Sequence, residues 1–130
     1  MRKLYILLLI GAVLTACQES FEDRCEREAK DFTTKKCPAQ INLNTRIDSM
    51  TFDKQTLTVS YYYTMSGSAD NAMAIKKMNP RETLQKEVKN STSLKAVREH
   101  EYNIRYVYRS MANEGLVLFE TTFTPKDYNK

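Results

Sequence analysis

The sequence predicts an α+β fold: a four-stranded antiparallel sheet made of two hairpins, with helices packed on one face and a further helix in front of it. Three observations carry the prediction. Residues 57–65 and 102–111 alternate apolar or aromatic with polar side chains at a period of two. The stretch between them is polar and spaces its apolar residues at helical intervals. That order, strands, helices, strands, is solved most simply by helices lying on one face of a single sheet.

Each element has a local reason. Ser20 or Asp23 is placed to cap a short helix through Glu26, Ala29 and Lys30, with only Phe21, Cys25, Ala29 and Phe32 as apolar residues. Cys37-Pro38 ends it, because the residue before a proline is pushed out of the α region. Residues 41–52 read as extended, and Asp53-Lys54-Gln55 as a polar turn. Leu57, Val59, Tyr61, Tyr63 and Met65 then share one face, with Thr56, Thr58, Ser60, Tyr62 and Thr64 on the other. Arg46 to Phe52 pairs with this strand as the first hairpin.

Ser66-Gly67-Ser68 breaks the strand, and Ala72, Ile75 and Met78 follow at helical spacing. Asn79-Pro80-Arg81-Glu82 supplies a cap, a proline at the first helical position and an acid at the third. Leu84 and Val88, then Leu94 and Val97, mark two or three short helical pieces. In the second hairpin Ile104, Tyr106 and Tyr108 oppose Arg105, Val107 and Arg109. Residues 112–115 form its turn, with Gly115 suited to a positive φ. Val117, Phe119 and Phe123 mark the core face of its second strand, which Pro125 stops.

The N-terminus has a different character. Met1-Arg2-Lys3 is a basic head, Leu4 to Val13 is almost unbroken apolar sequence, and Leu14-Thr15-Ala16-Cys17 closes it. This is the layout of a secretory signal. The apolar run is too short to cross a hydrocarbon core of about 30 Å, which needs roughly 20 residues. Leu14-Thr15-Ala16-Cys17 resembles the lipobox of bacterial lipoproteins. That resemblance implies diacylation of the Cys17 thiol, cleavage before Cys17 and acylation of the new amine. By resemblance to the sorting rule of many Gram-negative lipoproteins, Gln18 after the cysteine favours the outer membrane. The expected organisation is a signal peptide over residues 1–16, a lipidated tether over 17–24 and one α+β domain over 25–130.

Removing the signal leaves about 114 of the 130 residues, enough for one core. The formal charge of +4 falls to +2 without Arg2 and Lys3. So small an excess argues against nucleic-acid binding, which needs a clustered basic face. With Cys17 acylated, Cys25 and Cys37 remain, and an extracytoplasmic location makes a disulfide between them the expectation. A single helix between them would rise about 18 Å over twelve residues, whereas bonded Cα atoms lie within about 7 Å. Either the chain turns inside residues 31–34, or the thiols stay free or pair between molecules. Two sulfurs and one histidine, His100, make a metal site unexpected, and no cofactor is implied.

Candidate binding residues lie on the strands. Tyrosine combines a large rigid apolar area with a hydroxyl. Of Tyr61, Tyr62, Tyr63, Tyr106 and Tyr108, only Tyr62 is expected to face away from the core on its strand. Arg46 and Asp48 share one strand face, and Arg105 and Arg109 another; if the faces coincide they form a charge ladder or an anion site. Lys76, Lys77, Arg81, Lys86, Lys89, Lys95 and Arg98 make the crossover basic, as an ordinary solvated helix face would be. Ser91 and Ser93 would need a base beside them to act as nucleophiles, and no G-x-S-x-G, HExxH or CxxC occurs. No enzymatic activity is expected.

Cys37-Pro38, Thr45-Arg46-Ile47-Asp48-Ser49, residues 57–63 and Tyr106-Val107-Tyr108 together resemble a broad group of small uncharacterised bacterial exported proteins. Members of that group tend to carry a cysteine in the second helical region, where this chain has Ser91-Thr92-Ser93. The resemblance implies no activity. The functional expectation is a lipid-anchored envelope protein, facing periplasm or surface, that binds or assembles with a protein partner. The alternative is an inhibitor or immunity-type protein that plugs an enzyme with a hairpin tip, at residues 53–55 or 112–115.

Overall fold

A computed structural model describes residues 18–129. The expected signal peptide and the expected lipidation site at Cys17 lie outside the described residues. The elements run α1 (Phe21–Lys36), β1 (Ala39–Asn42), β2 (Thr45–Asp53), β3 (Thr58–Met65), a 3-10 turn (Gly67–Ala69), α2 (Ala72–Lys77), α3 (Pro80–Asn90), α4 (Lys95–Glu99), β4 (Asn103–Ser110), β5 (Val117–Phe123) and α5 (Pro125–Tyr128). Residues 21–24, expected in the tether, form the first turn of α1, where the Ser20 side chain accepts from the Asp23 N–H.

The α+β class holds, but the sheet has five strands in the order β1-β2-β3-β4-β5, and it is mixed. β1, β2 and β3 form an antiparallel meander and β4–β5 a hairpin, while β3 and β4 run parallel. The expected four-stranded antiparallel sheet is therefore corrected twice. β1 is a four-residue edge strand behind the turn at residues 43–44. The crossover through α2, α3 and α4 carries the chain back to where β3 began, so β4 starts beside Thr58 and runs alongside β3. A parallel pair requires such a crossover of a dozen or more residues.

The helices cover one face of the sheet. Val59, Ile104 and Phe123 from the strands meet Cys25 and Ala29 of α1, Leu84 and Val88 of α3, Leu94, and Val97 of α4. Burying each large apolar side chain of this kind contributes roughly 1.5–3 kcal/mol. Thr33 fastens α1 to the sheet: its hydroxyl accepts from the Met50 N–H and donates to the Met50 carbonyl, both at 2.9 Å.

α1 is consequently one continuous helix through the segment where a turn was expected. Cys25 is buried in its second turn, Cys37 is its C-cap, and both are free thiols. The expected Cys25–Cys37 disulfide is absent, because the helix between them holds the two Cα atoms at more than about twice the distance a disulfide allows. Burial raises the Cys25 pKa, keeping the thiol in its unreactive form.

Two arginines of the basic crossover are structural. Arg98 donates to the carbonyls of Val88 at 2.7 Å and Ser91 at 2.6 Å, satisfying the C-terminal end of α3. Arg81 donates to the Thr121 hydroxyl, lies 3.4 Å from Asp127 and stands over the Phe123 ring at 4.6 Å. It ties the start of α3 to β5 and α5.

Candidate functional site

The uncovered face of the sheet gathers all five sequence-predicted binding residues. A register shift in β2 between Ile47 and Ser49 inserts Asp48 as an extra residue. Such a bulge re-aims side chains, and here it turns Asp48 to accept from Arg46 Nε at 2.7 Å and from the Thr64 hydroxyl. On the neighbouring strands Tyr62, Val107 and Glu120 are register partners. Arg105 donates to Glu120 at 2.6 Å and to the Tyr62 hydroxyl at 3.1 Å. It thereby roofs Val107, which is fully buried although no helix covers this face. Arg109 stands over the Tyr62 ring at 4.7 Å.

The two predicted strand faces coincide, then, and form a ladder of paired charges. Arg109 alone of its three arginines has no carboxylate partner among the described residues. Arg46, Asp48 and Arg109 rim a shallow depression of about 400 Å³ that reaches Met111 and Gly115.

The covered face holds four of the tyrosines that the sequence weighs as an aromatic patch and expects to face the core. In the parallel register Tyr61 pairs with Tyr106 and Tyr63 with Tyr108. Their rings form a ladder, with centroids 5.4 Å apart for Tyr61–Tyr106, 6.4 Å for Tyr63–Tyr106 and 4.7 Å for Tyr63–Tyr108. This ladder floors a cleft between α1 and α3. Two cavities of about 440 and 380 Å³ share Tyr63 and Glu87 as lining residues. Phe32, Met50, Leu94 and Val97 line the first, and Ile41, Met78 and Leu84 the second. The four hydroxyls bond to no protein group among the described residues, yet no buried side-chain oxygen or nitrogen there lacks a partner. The hydroxyls therefore open into the cleft.

Burial, and after it the charge of Glu87, pushes the Tyr61 and Tyr108 hydroxyls up to about 12. Tyr63 and Tyr106 are pushed higher still, by burial first and neighbouring tyrosines second. All four are neutral hydrogen-bonding groups at physiological pH.

One end of the sheet is distinctive. Where β2 begins and β3 and β4 finish, the molecule exposes Ile41 and Leu43, Met73 and Met78, and Met111, Leu116 and Val117. Leu43 is 89% and Met78 78% exposed. Met78 was expected on an apolar helical stripe with Ile75, but α2 ends at Lys77 and only Ile75 is buried. The opposite end holds the start of α1, where Phe21 stacks on His100 at 3.6 Å and Lys54 pairs with Asp23 at 2.5 Å. His100 is the C-cap of α4, its Nδ1 bonded to the Ala96 carbonyl at 2.8 Å. Ser91 and Ser93 bond each other at 2.9 Å, so neither serine is paired with the histidine.

Glu87, Met78 and the Ile41–Leu43 edge were missed by the sequence reading. The available signal was the pair of Tyr-x-Tyr repeats, which become a ladder once β3 and β4 are in-register neighbours.

Fold and site define a small α+β domain with a mixed sheet, one bare face and a tyrosine-floored cleft under its helices. A family model described as a domain of unknown function, DUF8479, matches residues 20–119. The chain belongs to that family. Among solved structures it is similar to a protein of Pseudomonas aeruginosa described as a "putative secreted protein", with 14% identity and a TM-score of 0.69 over 85% of this chain and 98% of that one. At that identity the likeness is one of fold. No curated protein matches the chain. Among the described residues no helix is long and apolar enough to cross a membrane.

Proposed function

We propose that this domain is an extracytoplasmic binding or assembly module, held at the bacterial envelope by lipid on Cys17, that acts by binding rather than catalysis. It meets a partner protein with the end of the sheet remote from that anchor. The observation that carries the reading is the placing of the seven exposed large apolar side chains at that end. The described chain starts at the opposite end, about 23 Å away along β3. A bilayer holding the N-terminus cannot also cover the far end, whereas a protein above the membrane can. Exposed apolar clusters rimmed by polar residues mark such contacts, and methionine adapts to irregular partners. The depression rimmed by Arg46, Asp48 and Arg109 supplies the polar rim. The secreted description of the Pseudomonas protein supports the location, as does the signal layout of residues 1–17.

Photo-crosslinking in cells tests the reading. A benzophenone side chain at Leu43, Met78 or Met111 is expected to give a discrete protein adduct, and one at Thr51 or Lys30 none. Adducts at none of the five sites, or equally at all, overturn it. Mass spectrometry of the N-terminal peptide tests the lipid, and Cys17→Ser is expected to release the protein into the soluble fraction.

The inhibitor reading is favoured by one observation at the same end. The β4–β5 tip is held rigid: the Asp70 carboxylate accepts from the Ala112 N–H at 2.9 Å, and the Ser110 hydroxyl from the Asn113 N–H at 3.0 Å. Bonds to Ser110 and Ala112 hold Asp70 below the usual carboxylate range. A tip fixed in advance loses little entropy on entering a cleft. Replacing residues 112–115 by glycines should then abolish protection of a target enzyme while the far-UV spectrum stays unchanged.

A further inference from the structure

We infer that the tyrosine-floored cleft is a peptide-binding site, and that it takes an extended segment of the partner carrying a lysine or arginine beside apolar residues. The inference rests on the binding-module reading and names the chemistry of its partner.

Three features of the cleft specify the occupant. The first is charge. The chain has more basic than acidic residues, 20 against 16, yet no lysine or arginine lines either cavity. Glu28 lines the first and is satisfied by Arg24 at 2.9 Å. Glu87 lines both and has no ion-pair partner among the described residues. An unpaired carboxylate over an apolar floor selects a cation with an aliphatic stem, which is a lysine or arginine side chain.

The second is hydrogen bonding. Tyr106 is only 4% exposed, lines the first cavity, and its hydroxyl has no protein partner among the described residues. With the other three tyrosines, whose neighbouring ring centroids stand 4.7, 5.4 and 6.4 Å apart, it offers a row of neutral donors and acceptors. Such a row meets the N–H and C=O groups of an extended chain laid across it.

The third is continuity. The second cavity is lined by Ile41 and Met78, which also belong to the exposed apolar end. A small free cation would satisfy Glu87 and leave that apolar edge uncovered. A peptide covers both, its basic residue at Glu87 and its apolar neighbours at Ile41 and Met78. Each cavity falls within the few hundred Å³ of ordinary ligand sites.

The test selects a displayed random library of dodecapeptides on the protein purified as its producing cells process it. Wild type is expected to enrich peptides with one lysine or arginine flanked by apolar residues. Glu87→Gln should weaken a selected peptide about tenfold, measured by fluorescence anisotropy. Glu87→Lys should shift the enrichment from basic to acidic residues, and Glu99→Gln should change nothing. Glu87 is exposed on α3, so its variants keep the fold. Enrichment without basic residues, no enrichment, or enrichment indifferent to Glu87 overturns the inference. Binding to phosphatidylcholine vesicles, whose headgroup carries a choline cation, that depends on Glu87 and Tyr63 also overturns it, in favour of a lipid ligand. The two readings fail separately. Crosslinks at Met78 and Met111 with no Glu87-dependent peptide leave the docking end standing and remove the cleft. Glu87-dependent peptides without crosslinks do the reverse.

Discussion

Thr33 settles the shape of the N-terminal third. Thr33-Thr34 reads as a break, because β-branched residues are indifferent helix formers. In the fold the Thr33 hydroxyl gains a donor and an acceptor from one residue of β2. Two tertiary bonds outweigh a propensity deficit of a few tenths of a kcal/mol per residue. That makes α1 straight, and straightness in turn forbids the Cys25–Cys37 bond. Thr33→Val keeps the shape of the side chain and leaves the Met50 N–H and C=O without their partner. It is expected to lower stability by about 1–3 kcal/mol, as removing a partner from part-buried groups does. Thr33→Ser, which keeps the hydroxyl, should lose less. Urea denaturation of the three proteins checks the order, and equal midpoints would show that Thr33 does not hold the helix.

At the scale of elements, the crossover is held by its apolar stripe and also by two arginines that look like solvated charge. α3 has only Leu84 and Val88 buried, and its last carbonyls need partners. Arg98 supplies two bonds, to Val88 and Ser91. Hydrogen bonds to charged groups contribute roughly 1.5–3 kcal/mol. Arg98→Ala should therefore destabilise the domain by about that amount, and amide exchange should quicken first at the end of α3. Exchange rising uniformly would place the role of Arg98 elsewhere. What was legible follows the same division. Period-two patterning gave the faces of β3 and β4 and the isolation of Tyr62, and left open whether the two arginine faces coincide. Alternation is blind to strand direction, however, and direction here depends on where the crossover delivers the chain. β1 was missed because four residues with Asn42 at the end carry almost no pattern. Glu87 was illegible because its meaning lies in the absence of cations around the cleft, a property of assembled elements.

Across the whole molecule, polarity is graded from a paired, solvated sheet face to a cleft that keeps four tyrosines from ionising. That cleft imposes an alkaline limit on the fold. A tyrosine in the unfolded chain loses its proton near pH 10, whereas burial and then Glu87 hold Tyr61 and Tyr108 to about 12, and Tyr63 and Tyr106 are pushed further the same way. Below pH 10 both states keep these protons, so stability is independent of them. From pH 10 upwards the unfolded state binds fewer protons than the folded one, and stability falls as pH rises. For Tyr61 and Tyr108 the fall stops above about 12, where both states are ionised. The urea midpoint should be level from pH 8 to 9.5 and then decline steeply. Absorbance at 295 nm should show the cleft tyrosines ionising with unfolding rather than before it. Glu87→Gln removes the second cause at Tyr61 and Tyr108, so in that variant the decline should be shallower and those two hydroxyls should ionise at lower pH. If every tyrosine ionises together near pH 10 in a protein that stays folded, bulk water already fills the cleft. The low-polarity floor against which Glu87 would grip a basic side chain would then not exist.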